Sequence, residues 1–160
     1  MIDIRAAVRG DAALIQQMLV AMARDLGQAA DYRGSAEAIL HYGFGDSPAF
    51  HVLLAFDGDT PLGMILFFYE FSTWRGRPGL YVQDIYVDAK ARGMGLGRKL
   101  IAAAVAEAQK RGAVYLRLSV HADNEGGTGF YDQLGFHHAI HEKMMVLEGA
   151  PFELLGGETG

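Results

Sequence analysis

The sequence predicts an α/β (α+β) fold, because two kinds of periodic segment alternate along the chain. Apolar and β-branched runs of strand length lie between turn residues, and longer segments carry apolar residues at helical spacing. The chain has 160 residues, of which 51% are hydrophobic, and this is enough to bury one core. We therefore expect a single domain over 1–155, followed by a flexible tail at 156–160.

The first half of the chain predicts four strands and two helices. A strand at 2–8 precedes a helix for which Asp11 is a natural N-cap and Gly27 a natural stop. A shorter helix begins at Ser35. Three apolar runs divided by turn residues then predict an antiparallel hairpin and its extension, at 51–56, 62–71 and 80–87.

The second half predicts two helices and two strands. The helix at 96–111 has a continuous apolar face and ends at Gly112, and a strand at 114–120 follows it. A helix over about 125–134 is weak on its own, because each of its three glycines costs about 1 kcal/mol relative to alanine. A late strand at 143–147 completes the sheet.

Composition excludes several classes of function. The net charge is -5 and no run of Lys or Arg exceeds two residues, so we expect neither a nucleic-acid partner nor a membrane surface. The absence of cysteine excludes disulfides, thiolate metal sites and a cysteine nucleophile. No targeting signal or membrane span is recognisable, which predicts a cytoplasmic protein.

A glycine-rich turn joins the strand at 80–87 to the long helix. Its glycines alternate with other residues, and three cations crowd the positive end of the helix dipole, where an anion would compensate them. These residues are Gly93, Gly95 and Gly97, with Arg92, Arg98 and Lys99. A tight turn with no ligand is the alternative. A Walker loop and a dinucleotide fingerprint both fail, because the required Gly-Lys-Ser/Thr and G-x-G-x-x-G spacings are missing.

Two motifs resemble those of the GNAT superfamily of N-acetyltransferases. Arg92 to Gly97 matches Q/R-x-x-G-x-G/A, and Asn124, Tyr131 and Gly135-Phe136 match N-x-x-A-x-x-x-Y-x-x-x-G-F, with Gly127 in place of the alanine. Further similarity is to the spermidine/spermine and thialysine N-acetyltransferase branch, at Gly43-Phe44-Gly45, Phe71, Trp74 and 81–87. The resemblance implies a GNAT fold with a mixed, mostly antiparallel sheet of six to seven strands and about four helices. It also implies a homodimer.

The resemblance implies acetyl-CoA as the cosubstrate. The pantetheine arm would pair with the strand before the glycine turn, and the phosphates would lie on the turn itself. The residues that correspond by position are Ile85, Tyr86, Val87, Arg92, Gly93, Met94, Gly95, Leu96, Gly97, Arg98, Asn124 and Tyr131.

Two residues are candidates for acid and base catalysis. Tyr131 corresponds to the family's proton donor for the departing thiolate, although a buried tyrosine with a structural partner is the alternative. Asp84 is the best carboxylate for accepting the amine proton, because it interrupts an apolar strand, although a buried structural ion pair is equally compatible. Glu70 is the second choice. The related polyamine enzymes carry Glu-Asp where this chain has Gln83-Asp84.

The acceptor is a primary amine by the same resemblance. Phe71, Trp74, Gln83 and Asp84 are the candidate substrate-binding residues, and the aromatic pair could equally pack the hairpin. Three histidines near 137–141 suggest a metal only weakly, and we expect none.

The leading hypothesis is acetyl transfer to a small-molecule amine, such as a polyamine, a diamine or a lysine-like amino acid. The alternatives are a protein or peptide N-acetyltransferase and a non-catalytic acyl-CoA-binding module.

Overall fold

A computed structural model describes residues 1–158 and contains five strands and five α-helices. The chain forms two compact units, Met1–His121 and Ala122–Gly160. The first holds the whole sheet and three helices; the second holds the other two helices. The single domain predicted over 1–155 stays a prediction.

The first unit is built on a sheet with the strand order β1-β2-β3-β4-β5. The first four strands pair antiparallel and β5 pairs parallel to β4, so the sheet is mixed and mostly antiparallel, as predicted. The strands are β1 (Ile2–Ala6), β2 (His51–Asp57), β3 (Thr60–Ser72), β4 (Arg77–Val87) and β5 (Leu116–Leu118). Short 3₁₀ turns at Arg9–Asp11, Ala29–Asp31 and Ala89–Ala91 lie in the connections.

Three helices complete the first unit, α1 (Ala12–Asp25), α2 (Ala36–Gly43) and α3 (Leu96–Gln109). One buried cluster joins the apolar stripes of α1 and α2 to alternate residues of β2 and β3, among them Leu54 and Met64. The intervening residues Leu53 and Ile65 are buried as well, and α3 contacts β2, β3 and β4. Both faces of the central strands are therefore covered, which explains why these strands are continuous apolar runs.

The two predicted N-cap residues, Asp11 and Ser35, both precede a helix, but only Ser35 caps it through its side chain. The Ser35 hydroxyl accepts a hydrogen bond from the Ala38 N–H at 3.0 Å, as an N-cap should. Asp11 is the N-cap residue of α1, but its carboxylate accepts instead from the Val8 N–H and from Arg5, whose guanidinium binds it through two nitrogens at 2.7 and 3.0 Å. The Arg5 hydrogen bond lowers the pKa of Asp11.

The second unit holds α4 (Glu125–Gln133) and α5 (Ala150–Gly157). The weak helix forms despite its glycines, because the Asn124 side chain accepts from the Gly127 N–H at 2.9 Å. The strand predicted at 143–147 was wrong, since that segment has no regular structure. A strand exists only through hydrogen bonds to a partner, and the local apolar pattern does not supply one.

The element count also differs from the prediction, with five strands instead of six to seven and five helices instead of about four. The fifth helix takes up most of the segment after 147 and begins with Pro151 in its first turn, where proline is favoured. Of the predicted tail, Gly156 and Gly157 end α5, and 159–160 lie outside the described residues.

Candidate active site

The candidate base, Asp84, lies at an irregularity in the sheet. Leu66 of β3 pairs with Asp84 and Phe67 pairs with Val82, so Gln83 is an extra residue without a partner in β3. Such a β-bulge bends the strand and changes the direction of its side chains. Both Gln83 and Asp84 consequently line the same cavity.

This cavity, here called the acceptor cavity, has a volume of about 470 Å³. Its walls come from α1, the connection between α1 and α2, α2 itself, β3 and β4. The lining is mainly apolar, with a few polar groups, as is usual for small-molecule sites. The lining residues that sequence reasoning did not identify include Gln28, Asp31, Tyr32 and Tyr42.

Burial raises the pKa of Asp84 from 3.8 to about 6. The cause is desolvation, which disfavours the charged carboxylate. Tyr32 lies close enough that the Asp84 charge contributes, after burial, to raising the pKa of its hydroxyl. That hydroxyl bonds to Gln16 Oε1 at 2.6 Å, which fixes the ring at the cavity. A carboxylate with a raised pKa beside an apolar cavity is a typical feature of a catalytic base.

The glycine turn follows directly after β4. Gly93 has φ 78° and Gly95 has φ 74°, in the left-handed region that side chains disfavour. Gly95 is the N-cap of α3, and the first turn of that helix contains no acidic residue. Met94, Arg98 and Lys99 are exposed, whereas Leu96 is buried beneath the turn. The turn therefore presents backbone N–H groups and cations to solvent, the chemistry that binds phosphates.

Arg92 has partners that the sequence did not reveal. Its Nε donates to the Val87 carbonyl oxygen at 3.0 Å, and its Nη2 forms an ion pair with the Asp25 carboxylate at the end of α1. Both side chains are about half exposed, so this ion pair stabilises the fold only slightly.

The last part of β4 has one open edge. Strand β5 pairs with β4 only from Leu80 to Val82, so in the described sheet 84–87 have a strand partner on the β3 side alone. Ile85, Tyr86 and Val87 belong to this stretch. An open strand edge offers N–H and C=O groups to any extended chain of amides.

The remaining candidates of the first unit lie away from the acceptor cavity. Phe71 is 62% exposed and Trp74 is fully exposed, so neither packs the hairpin, and neither lines the cavity. Glu70 is held by Arg117 through two contacts of 2.5 and 3.0 Å, and it does not line the cavity either. The role of the aromatic pair in binding substrate stays a prediction.

The second unit contains Tyr131 and Asn124. Tyr131 lies on α4, and its ring contacts Phe130 and Phe136 at centroid distances of 5.1 and 5.3 Å. Burial raises the pKa of its hydroxyl, which therefore stays protonated at neutral pH. Asn124 caps α4 through its side-chain oxygen.

No group of metal-binding residues occurs among residues 1–158. His138 bonds instead to Asp132 at 3.1 Å. The same described residues include no helix long and apolar enough to cross a bilayer.

Comparisons with known proteins agree with these observations. Residues 16–136 match the model of the acetyltransferase (GNAT) family. The chain is 33% identical over 140 residues to a thialysine N-epsilon-acetyltransferase of Bos taurus, covering 82% of each chain. Among solved structures, an integron cassette protein of V. cholerae superposes with a TM-score of 0.82 at 19% identity, covering 97% of each chain. A ribosomal-protein-alanine N-acetyltransferase of Brucella melitensis superposes with a TM-score of 0.72 at 23% identity, covering 93% of this chain and 100% of that one.

The family match over residues 16–136 and the 33% identity to an N-acetyltransferase over 82% of each chain identify the family. The cations and left-handed glycines of the turn are compatible with it. The chain is an N-acetyltransferase and belongs to the acetyltransferase (GNAT) family.

Proposed function

We propose that the protein transfers an acetyl group from acetyl-CoA directly to a primary amine of a small molecule. The acceptor class is a polyamine, a diamine or a lysine-like amino acid, and neither a nucleic acid nor a membrane is a partner. The observation that carries the proposal is the partly buried Asp84 carboxylate in the acceptor cavity, whose pKa is raised by desolvation. We expect a cytoplasmic protein.

The first unit has a donor set that fits acetyl-CoA. The cosubstrate supplies an activated acetyl thioester. The N–H groups of the glycine turn, with Arg92 and Arg98, suit its phosphates, and the open edge of β4 at 85–87 suits the amides of its pantetheine arm. Asn124 is assigned to the same arm by the family motif alone.

Asp84 serves as the base in this proposal. An alkyl ammonium has a pKa near 10.4, so deprotonating it at pH 7 costs about 4–5 kcal/mol. A carboxylate with a pKa of about 6 is ionised at pH 7 and is a stronger base than an ordinary aspartate. It accepts one proton from the ammonium, directly or through water, and the lone pair of the free amine then attacks the acetyl carbon.

Tyr131 serves as the acid. When the carbon–sulfur bond breaks, the departing thiolate needs a proton, which the Tyr131 hydroxyl donates. Burial raises the pKa of that hydroxyl and so keeps it protonated until it donates its proton to the thiolate. Two protons leave the nitrogen as the ammonium becomes an amide: Asp84 accepts the first and releases it to solvent, and the second, passed to solvent, is matched by the proton that Tyr131 gives to the sulfur and regains afterwards.

A panel of small amines and short peptides with acetyl-CoA tests the proposed function. Steady release of free thiol with the amines supports it. Release with peptides alone would favour a peptide N-acetyltransferase. A folded chain that binds acetyl-CoA but releases no thiol with any acceptor would be a binding module, and the proposal would be wrong.

Arg92→Ala should weaken acetyl-CoA binding by about tenfold, because it removes a charge-assisted contact to phosphate. Asp25→Asn is the matched control, since it removes the ion pair but keeps the guanidinium. Calorimetry measures both affinities. An equal loss in the two variants would show that the ion pair matters rather than a phosphate contact.

Asp84→Asn should lower kcat/KM most between about pH 6.5 and 8. Below pH 6 the wild-type carboxyl is itself protonated and cannot act as a base. At high pH more of the substrate is already free amine and needs no base. The difference in kcat/KM between the wild type and the variant should therefore be smaller at both ends of the pH range. The pH profile of kcat/KM measures this. If the ratio of kcat/KM between the variant and the wild type were the same at every pH, this would contradict the role of Asp84 as base.

The same variant should be more stable than the wild type above pH 6. A carboxyl with a raised pKa favours the folded state below pH 3.8, and this stabilisation is lost as pH rises through about 6. We expect a Tm higher by roughly 5 °C at pH 8 and little difference at pH 4. Asp46→Asn, at an exposed carboxylate, should show no such pH dependence.

Tyr131→Phe should lower the turnover rate by about 10²-fold to 10⁴-fold while acetyl-CoA affinity holds, because the ring and its packing remain and only the proton is lost. Raising the pH should not restore activity. Single-turnover kinetics measures the chemical step. Wild-type rates would show that Tyr131 is a packing residue.

A homodimer is proposed from the resemblance to the polyamine enzymes. Light scattering should give twice the chain mass across working concentrations. A monomer mass at all concentrations would overturn this prediction.

A further inference from the structure

The lining of the acceptor cavity restricts the charge of its occupant. Among the described residues that line it, Asp31 and Asp84 carry the only charges, and none is Lys, Arg or His. The remaining lining is mainly aliphatic and aromatic, from residues such as Met22, Leu26 and Phe50. A cavity of this kind suits a cation with an apolar body.

The two carboxylates come from different parts of the first unit. Asp84 is on β4 and is partly buried, whereas Asp31 ends the 3₁₀ turn between α1 and α2 and is exposed. One carboxylate is therefore suited to the reacting nitrogen, and the other can contact a second, hydrated cation at the rim.

The basic residue nearest to Asp31 in the sequence, Arg33, donates its hydrogen bonds to backbone carbonyl oxygens. The Arg33 guanidinium donates hydrogen bonds to the Ala30 and Tyr32 carbonyl oxygens, and Arg33 does not line the cavity. A carboxylate on the substrate would therefore meet two like charges without a cation in the lining. Like charges placed together disfavour the wrong partner strongly.

We propose that the acceptor cavity binds an alkyl diamine that carries no carboxylate, with one nitrogen beside Asp84 and the other beside Asp31. Asp31 is then a specificity-determining residue that favours a diamine over an amino acid presenting the same amine. This inference rests on the proposed function, because it assigns the acceptor of that reaction. It differs from what the name of the Bos taurus relative indicates, since thialysine is a lysine analogue.

Four acceptors test the inference on the full chain with acetyl-CoA: 1,5-diaminopentane, pentylamine, lysine and lysinamide. Lysine is 1,5-diaminopentane with one added carboxylate, and lysinamide neutralises that charge. We expect kcat/KM to be higher for 1,5-diaminopentane than for lysine by roughly tenfold or more, with lysinamide between them. An equal or higher value for lysine would overturn the inference and leave the proposed function intact.

Two variants test Asp31 itself. Asp31→Asn should lower the preference for 1,5-diaminopentane over pentylamine by about fivefold, and Asp31→Lys should raise the use of lysine relative to 1,5-diaminopentane. Asp59→Asn, at an exposed carboxylate in the β2–β3 turn outside the cavity, is the control and should change neither ratio. If neither Asp31 variant changed its substrate preference, the role of Asp31 in specificity would be wrong. Acetylation of none of the four amines by a chain that binds acetyl-CoA would overturn the proposed function together with this inference.

Discussion

The candidate site depends on strand β4, which has a partner on both edges only as far as Val82. Beyond that residue, β3 alone holds it, and the bulge at Gln83 alters its course at the same place. The bulge places Asp84 in the acceptor cavity. The short pairing with β5 leaves the backbone of 85–87 with an open edge beside the glycine turn.

A partly buried carboxylate is costly for the fold when no charged partner offsets its desolvation. The pKa of Asp84 rises by about two pH units, which corresponds to at most about 3 kcal/mol of unfavourable ionisation at neutral pH. No charged partner is identified as a cause of that shift, which desolvation produces. This argues against the structural ion pair that the sequence left open. A group that destabilises the folded protein at working pH is better explained by chemistry than by stability.

Local patterns in the sequence were sufficient to predict most helices and strands. They were not sufficient to predict features that depend on contacts between distant parts of the chain. Strands β2, β3 and β4 and helices α1 to α4 follow from apolar periodicity and caps such as Ser35. The segment 143–147 has the same local pattern, yet it forms no strand, because a strand needs a partner elsewhere in the chain. Asp84 was recognisable as an acid in an apolar strand. Asp31 and Tyr32 were not, because they belong to the cavity only through the packing of α1 and α2 against the sheet.

The first unit contains two regions of opposite charge. The glycine turn is cationic and exposed, which suits the proposed anionic donor. Among the described residues, the charged lining of the acceptor cavity consists of carboxylates, which suits the proposed ammonium. The ion pair between Arg92 and Asp25 connects them, since Asp25 ends α1 next to Leu26 in the cavity wall. Because this pair is exposed and weak, Arg92 can exchange Asp25 for a phosphate at little cost. The turn therefore retains its capacity for an anion even though its arginine already has a partner.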